Sequence, residues 1–127
     1  MIFPMARVIR KQPNSRMCLV CGLKNGAGLH ASFYEVDGGE LVALFTPREE
    51  HQGYPGRLHG GVVTAMLDET VGRAVMGSHE QDFWAVTVEF TTAFRKPVPL
   101  NAELRVVGRV VRQDGRVFEG SGELLLP

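Results

Sequence analysis

Between His59 and Gly77 the chain carries only three charged side chains, Asp68, Glu69 and Arg73. Val62, Val63, Met66, Leu67, Val71, Ala74 and Val75 recur at spacings that put them on one broad face of a helix of roughly four to five turns. Gly77, just past the last periodic residue, suits a C-cap. Glu69 and Arg73 stand one turn apart and can pair at the surface. A helix this apolar has to be covered over most of its circumference, and that requirement limits what the rest of the chain can build.

The remaining periodic segments read as strands. Leu29, Ala31 and Phe33 fall on one face, Asp37-Gly38-Gly39 gives a turn, and Leu41, Ala43 and Phe45 repeat the pattern, which predicts a β-hairpin. Pro47 to Leu58 is a polar loop. Beyond the helix, Trp84, Val86, Val88, Phe90 and Phe94 alternate with Ala85, Thr87, Glu89, Thr91 and Ala93, which predicts a strand with one apolar face. After Pro97 and Pro99, Leu104, Val106 and Val110 continue on another strand, Asp114-Gly115 turns the chain, and Val117 to Leu126 returns. The predicted order is β-β-α-β-β-β. Residues 1–28 show no sustained period and read as an irregular arm or short helix leading into a domain at 29–127. With 127 residues, 44% of them hydrophobic, the chain suits one domain with one core. A curved antiparallel sheet wrapped around one long central helix satisfies every apolar face at once, an α+β architecture of the hot-dog kind. Its edge strands and half-covered helix predict pairing with a second copy.

Fourteen basic residues balance fourteen acidic ones, so no overall field draws the protein to nucleic acid or to an anionic membrane. Arg7, Arg10, Lys11, Arg16 and Lys24 all precede the first acidic residue, Glu35; such a cluster reads as a solvated terminus or as a landing strip for phosphates. The start Met1 to Ala6 lacks the apolar run of a secretory signal, and no stretch is long enough to span a bilayer, so a cytoplasmic location is the expectation. Cys18 and Cys21, in C-x-x-C spacing, are open to a disulfide, half a zinc site or two buried thiols. Zinc needs two further ligands, for which His30 is the only nearby candidate. A redox pair should open a helix, whereas Gly22, Asn25, Gly26 and Gly28 follow here. We read them as structural thiols and expect no metal and no cofactor. His30, His51 and His79 lack metal-ligand spacing and take no catalytic role.

Three features carry candidate chemistry. At a helix start the first N–H groups have no intrahelical partner, and Gly60 and Gly61 add no side chain, so a substrate carbonyl can approach; tight packing of the helix end on a sheet is the alternative. Asp68 is a carboxylate within an apolar helix, suited to act as base or nucleophile with a raised pKa, or else a flank residue reaching water. Thr87 offers a hydroxyl to water or to Asp68, or is simply a good strand residue.

Leu58-His59-Gly60-Gly61, with Asp68 nine residues after His59, resembles the active-site signature of the phenylacetate-type (PaaI-like) thioesterases of the hot-dog superfamily. Cys18-Leu19-Val20-Cys21-Gly22-Leu23-Lys24-Asn25 with Gly28-Leu29, and His51-Gln52-Gly53-Tyr54-Pro55-Gly56, resemble one branch of that group. Ala85-Val86-Thr87-Val88-Glu89-Phe90 and Arg95-Lys96-Pro97-Val98-Pro99 resemble the strand and exit loop that follow, and the likeness spans residues 18 to 126. The resemblance implies hydrolysis of an acyl-CoA thioester in a homodimer, or a tetramer built as a dimer of dimers. It implies that the Gly60 N–H polarises the carbonyl, with Gly61 beside it in the substrate site. Asp68 of the opposite subunit would activate water or attack. Thr87 would place that water, and His59 would orient the loop or touch the thioester. Arg95 and Lys96 match positions that meet coenzyme A. Many relatives carry an asparagine or glutamine where this chain has Gly53, and Gln52 is the candidate substitute. That departure keeps a second reading open, a non-catalytic acyl-CoA-binding or regulatory dimer. A zinc-linked interaction module would need intermolecular ligands, and a hydratase would need an adjacent Asp and His pair that is missing.

Overall fold

The computed structural model describes residues 6–77 and 85–127. Five strands form one antiparallel sheet in the order β1-β2-β3-β4-β5, where β1 is Val8–Lys11, β2 Ser32–Val36, β3 Leu41–Phe45, β4 Leu104–Asp114 and β5 Val117–Leu125. Among the described residues one long helix, α1, runs from Gly60 to Gly77. The hairpin of β2 and β3 forms where the alternation and the Asp37-Gly38-Gly39 turn predict it. Gly38 and Gly39 both adopt positive φ, of 87° and 84°, which a side chain would resist. The β4–β5 hairpin turns at Gly115, also as predicted.

Ala31, Phe33, Leu41, Ala43 and Phe45 point to the helix side of the sheet and are buried together with Val63, Met66, Leu67, Leu104 and Val106. Strand β3 pairs with β4 from Leu41 opposite Gly108 to Phe45 opposite Leu104, so α1 lies in the one connection, residues 46–103, that joins these neighbouring strands. Along α1 the buried positions are Val63, Met66, Leu67, Thr70 and Val75, with the other side half-covered. Thr70 satisfies its buried hydroxyl by donating to the Met66 carbonyl at 2.6 Å.

Three glycines let the helix lie close to the sheet. A Cβ at Gly108 would stand 3.1 to 3.2 Å from the Thr70 methyl and main chain, and one at Gly122 would stand 3.1 Å from Val71. At Gly120 it would collide with the Val71 side chain outright. Since the obstacle at Gly108 includes helix backbone, a larger residue there pushes the helix away rather than turning a rotamer.

Three expectations change. The amino-terminal arm contains a strand: β1 pairs with β2 from Val8 opposite Val36 to Lys11 opposite Tyr34, with an irregularity between Val8 and Arg10. All four of its side chains are exposed, so no apolar alternation marked it. Of the segment predicted as a strand from Trp84 to Phe94, Trp84 lies outside the described residues, and 85–94 run beside α1 without joining a ladder among the described residues. The observed order is therefore β-β-β-α-β-β. Alternation signals that one face is covered without saying by what, and Val86 and Val88 are 85% and 90% exposed in the single chain. Finally, Glu69 and Arg73 do pair, at 3.1 Å, but beneath the arm, with side chains only 23% and 12% exposed. The C-terminal cap expected at Gly77 meets residues outside the described range.

Gly108→Ala should lower the unfolding free energy by about 1–3 kcal/mol. Gly26→Ala, where a Cβ meets nothing within 4 Å, should stay within about 0.5 kcal/mol. Urea unfolding of the two variants checks the contrast; equal midpoints would show that close approach at Gly108 does not hold the helix.

Candidate active site

The start of α1 is organised by His59. Its carbonyl accepts the N–H groups of Val62 and Val63 at 3.0 and 3.1 Å, and its ring Nδ1 accepts the Gly61 N–H at 2.8 Å. The Val63 bond is the first regular bond of the helix; of the four N–H groups left without intrahelical partners, on His59, Gly60, Gly61 and Val62, that of His59 donates to the His51 carbonyl at 3.0 Å, so three are satisfied. The fourth, on Gly60, has no acceptor among the described residues. An Nδ1 that accepts carries no proton, so the neutral ring holds its proton on Nε2. His59 is thus a side-chain N-cap, with the nitrogen nearest the helix already engaged.

Gly60 faces an open cleft lined by Gln52, Gly53, Tyr54, Leu58 and His59. The loop that forms its wall is closed on itself. The Gly53 N–H donates to the Arg57 carbonyl at 2.9 Å, the Gly56 N–H donates to Gln52 Oε1 at 3.2 Å, and Gly56 holds a φ of 80°. Gln52 therefore lines the cleft while its amide oxygen serves the loop. A Cβ at Gly53 would lie 3.3 Å from His59 Cα, so the glycine allows the loop to press against the capping histidine. On the other side the Phe94 ring would touch a Cβ placed on Gly60, at 3.5 Å, a neighbour that the sequence did not indicate. His51, which took no catalytic role, is buried and structural. Its Nδ1 accepts from the Arg48 N–H at 2.9 Å, and its Nε2 lies 2.9 Å from the Ala27 carbonyl.

Asp68 is half-buried farther along the helix, and the Thr87 hydroxyl donates to its Oδ1 at 2.5 Å. The two residues line a second cleft, of about 380 Å³, between α1, the 85–92 segment and the strand β5 around Phe118. Within one chain the structure therefore brings Asp68 to Thr87, and groups Gly60, His59 and Gln52, without joining the two sets. Gly61 lies at the cap itself. Arg95 and Lys96 are exposed just after Phe94 and line neither cleft. His30 does not approach the cysteines; its Nε2 lies 2.7 Å from the Asn25 carbonyl.

A long apolar helix on a five-stranded antiparallel sheet, with a bare glycine N–H at the helix start and a carboxylate midway along, defines a class of protein. Residues 55–125 match the model of the thioesterase superfamily, and the chain belongs to that family. Its fold is the hot-dog fold. Among solved structures it is similar to a thioesterase superfamily protein with a TM-score of 0.79 and 26% identity, over 87% of this chain and 53% of that one. It is also similar to a phenylacetic acid degradation-related protein of Ralstonia eutropha, with a TM-score of 0.69 and 25% identity, over 76% and 74% of the two chains. Among curated relatives, it is 32% identical over 93 residues to an uncharacterized protein of Schizosaccharomyces pombe, covering 73% of this chain and 53% of that protein. It is 29% identical over 94 residues to the acyl-coenzyme A thioesterase THEM4 of Xenopus laevis, covering 73% of this chain and 41% of that protein. The chain thus spans about half or less of the length of these curated relatives. No helix among the described residues is long and apolar enough to cross a membrane.

Removing the cap should be measurable apart from any activity. His59→Ala is expected to cost about 1 kcal/mol of stability, with His59→Asn recovering most of it. Chemical denaturation of both variants checks this, and an unchanged midpoint for the alanine would remove His59 from the role of cap.

Proposed function

We propose that this chain is the catalytic domain of an acyl-CoA thioesterase that works as a homodimer, hydrolysing the thioester to a free acid and coenzyme A. The observation that carries the reading is the Gly60 N–H, which has no acceptor among the described residues and opens into a cleft at the positive end of a helix. A donor fixed in that way stabilises negative charge developing on a thioester oxygen without having to reorganise.

The carboxylate is on the same helix yet too far off to share that substrate. Gly60 and Asp68 are eight residues apart along α1, which at the helical rise is roughly 12 Å. An oxyanion donor and a base, through one water, must both stand around a single carbon. Two copies of α1 packed about a two-fold axis meet this requirement, because each brings its Asp68 toward the other's Gly60. The exposed Val86 and Val88 favour such pairing, since they give the 85–94 segment an apolar face that a second copy can cover. In the proposed reaction Asp68 takes a proton from water as the water oxygen adds to the carbonyl carbon. The carbon–sulfur bond then breaks, and the coenzyme A sulfur leaves and is protonated. Direct attack by the carboxylate is the variant route. Thr87 holds Asp68 in one orientation, His59 holds the loop, Gln52 and Gly61 border the acyl group, and Arg95 and Lys96 supply cations for the coenzyme A phosphates. The phenylacetic acid degradation-related neighbour and the acyl-coenzyme A thioesterase relative support acyl-CoA as the substrate class.

Thiol release from a panel of aliphatic and aromatic acyl-CoA esters tests the activity. Asp68→Asn is expected to lower kcat by about 10²–10⁴. Gly60→Pro keeps a residue suited to the first helical position but removes the N–H, and should lower kcat by about 10²–10³. Full turnover in Asp68→Asn overturns the assignment of the base. Binding of the esters without turnover anywhere in the panel would move the reading to the acyl-CoA-binding dimer that Gly53 raised. In sedimentation, Val88→Asp should yield a monomer that is inactive; an active monomer would overturn the two-subunit site.

A further inference from the structure

On the face of α1 turned toward the amino-terminal arm, the two cysteines meet a third donor. The Cys18 thiol donates to Glu69 Oε1 at 3.2 Å, and the donor atoms of Cys18, Cys21 and Glu69 all lie within 4.8 Å of one another. Both cysteines are free, Cys21 buried and Cys18 partly so. We propose that Cys18, Cys21 and Glu69 form a binding site for one zinc-type divalent ion, which clamps the amino-terminal arm to helix α1.

Three observations carry the site. First, the turn is shaped for two thiolates. The N–H groups of Val20 and Cys21 point at the Cys18 sulfur, the Ser15 N–H points at the Cys21 sulfur at 3.4 Å, and the Gly22 N–H closes the turn on the Cys18 carbonyl at 2.8 Å. A Cβ at Gly22 would lie 2.5 to 2.6 Å from the main chain of Met17 and Cys18, so only glycine fits there. N–H groups aimed at sulfur favour the charged form that binds metal. Second, C-x-x-C supplies two ligands from one tight turn, and a carboxylate from a rigid helix gives a third of the type zinc accepts. Bonds of about 2.3 Å to sulfur place tetrahedral ligands roughly 3.8 Å apart, within reach of the observed spread. The partly exposed rim at Cys18 leaves the fourth position to water.

Third, the charges balance. Two thiolates and a carboxylate carry three negative charges against two on the ion, and the Arg73 guanidinium supplies the remaining positive charge. It donates to Cys21 Sγ at 2.9 Å and to Glu69 Oε2 at 3.1 Å. Arg73 is itself fixed by Gln12 and the Pro13 carbonyl, and it stacks on Phe33 at 4.1 Å. It is thus a supporting partner to the ligands of the kind that tunes metal sites. Metal entry exchanges the two thiol protons, which leave to solvent, for one ion.

The test uses the full chain, reduced and stripped of metal, titrated with Co²⁺ and Zn²⁺ ions. Cobalt should bind stoichiometrically with thiolate-to-metal absorption in the near ultraviolet, and zinc should bleach that absorption and protect both cysteines from alkylation. Cys18→Ser and Cys21→Ser should abolish the absorption, and Glu69→Gln should weaken uptake at least about tenfold. Alkylation protection is read on the unaltered chain, so the test stands even if a cysteine variant fails to fold. Absence of uptake and protection at micromolar free metal overturns the site, as does uptake that survives Cys18→Ser. A Cys18–Cys21 disulfide persisting in reduced, zinc-containing buffer does the same.

Discussion

Helix α1 can approach the sheet closely because Gly108, Gly120 and Gly122 leave room for Thr70 and Val71, and much of the molecule depends on that contact. It sets the height of the helix over β4 and β5 and so buries Met66, Leu67 and Thr70 on one side. A rigid axis is what a site built from helix positions requires, since a shift of one ångström at a reacting centre is costly to catalysis. Everything proposed for this chain hangs from that axis: the bare N–H at its start, the carboxylate midway, and the carboxylate beside it that faces the arm.

The site follows from a complete account of hydrogen bonds at the helix start. His59 takes the Gly61 and Val62 N–H groups through its ring and its carbonyl and gives its own N–H to the His51 carbonyl, and the one left over belongs to a residue without a side chain. The 85–94 segment connects this end to Asp68, for Thr87 holds the carboxylate while Phe94 sits against Gly60. Both ends of the proposed chemistry therefore depend on one strip that makes no ladder among the described residues. Its exposed valines and the 12 Å, roughly, between donor and carboxylate are two expressions of the same incompleteness.

Local periodicity made much of this legible. The first hairpin, α1 and the β4–β5 hairpin declare themselves through alternation, through the 3.6-residue repeat and through glycines at turns. Strand β1 was hidden because Val8–Lys11 is exposed on both faces, an edge strand with no apolar side to mark it. The 85–94 segment misled for the opposite reason. Its apolar face is real, but periodicity does not reveal whether the cover belongs to the same chain. Asp68 and Thr87 could be singled out by chemistry, while their 2.5 Å contact required the path of the chain. Glycines 108, 120 and 122 gave no signal, since what they admit comes from another element. Glu69 looked like half of a surface ion pair because its i, i+4 partner is visible in sequence and the arm that covers both is not.

Adjacent residues on a helix are rotated by about 100°, so Asp68 and Glu69 look into different environments. Asp68 faces the strip that carries Thr87, and Glu69 faces Cys18 and Arg73 under the arm. The turn of helix that carries the proposed base is therefore gripped from two sides by segments distant in sequence. On the arm side the grip includes two sulfurs, a guanidinium and a carboxylate, a costly set to bury for packing alone, since apolar side chains of equal volume would fill the space without needing partners. Holding an ion gives these groups a common purpose, and it ties the arm to the helix one residue from Asp68.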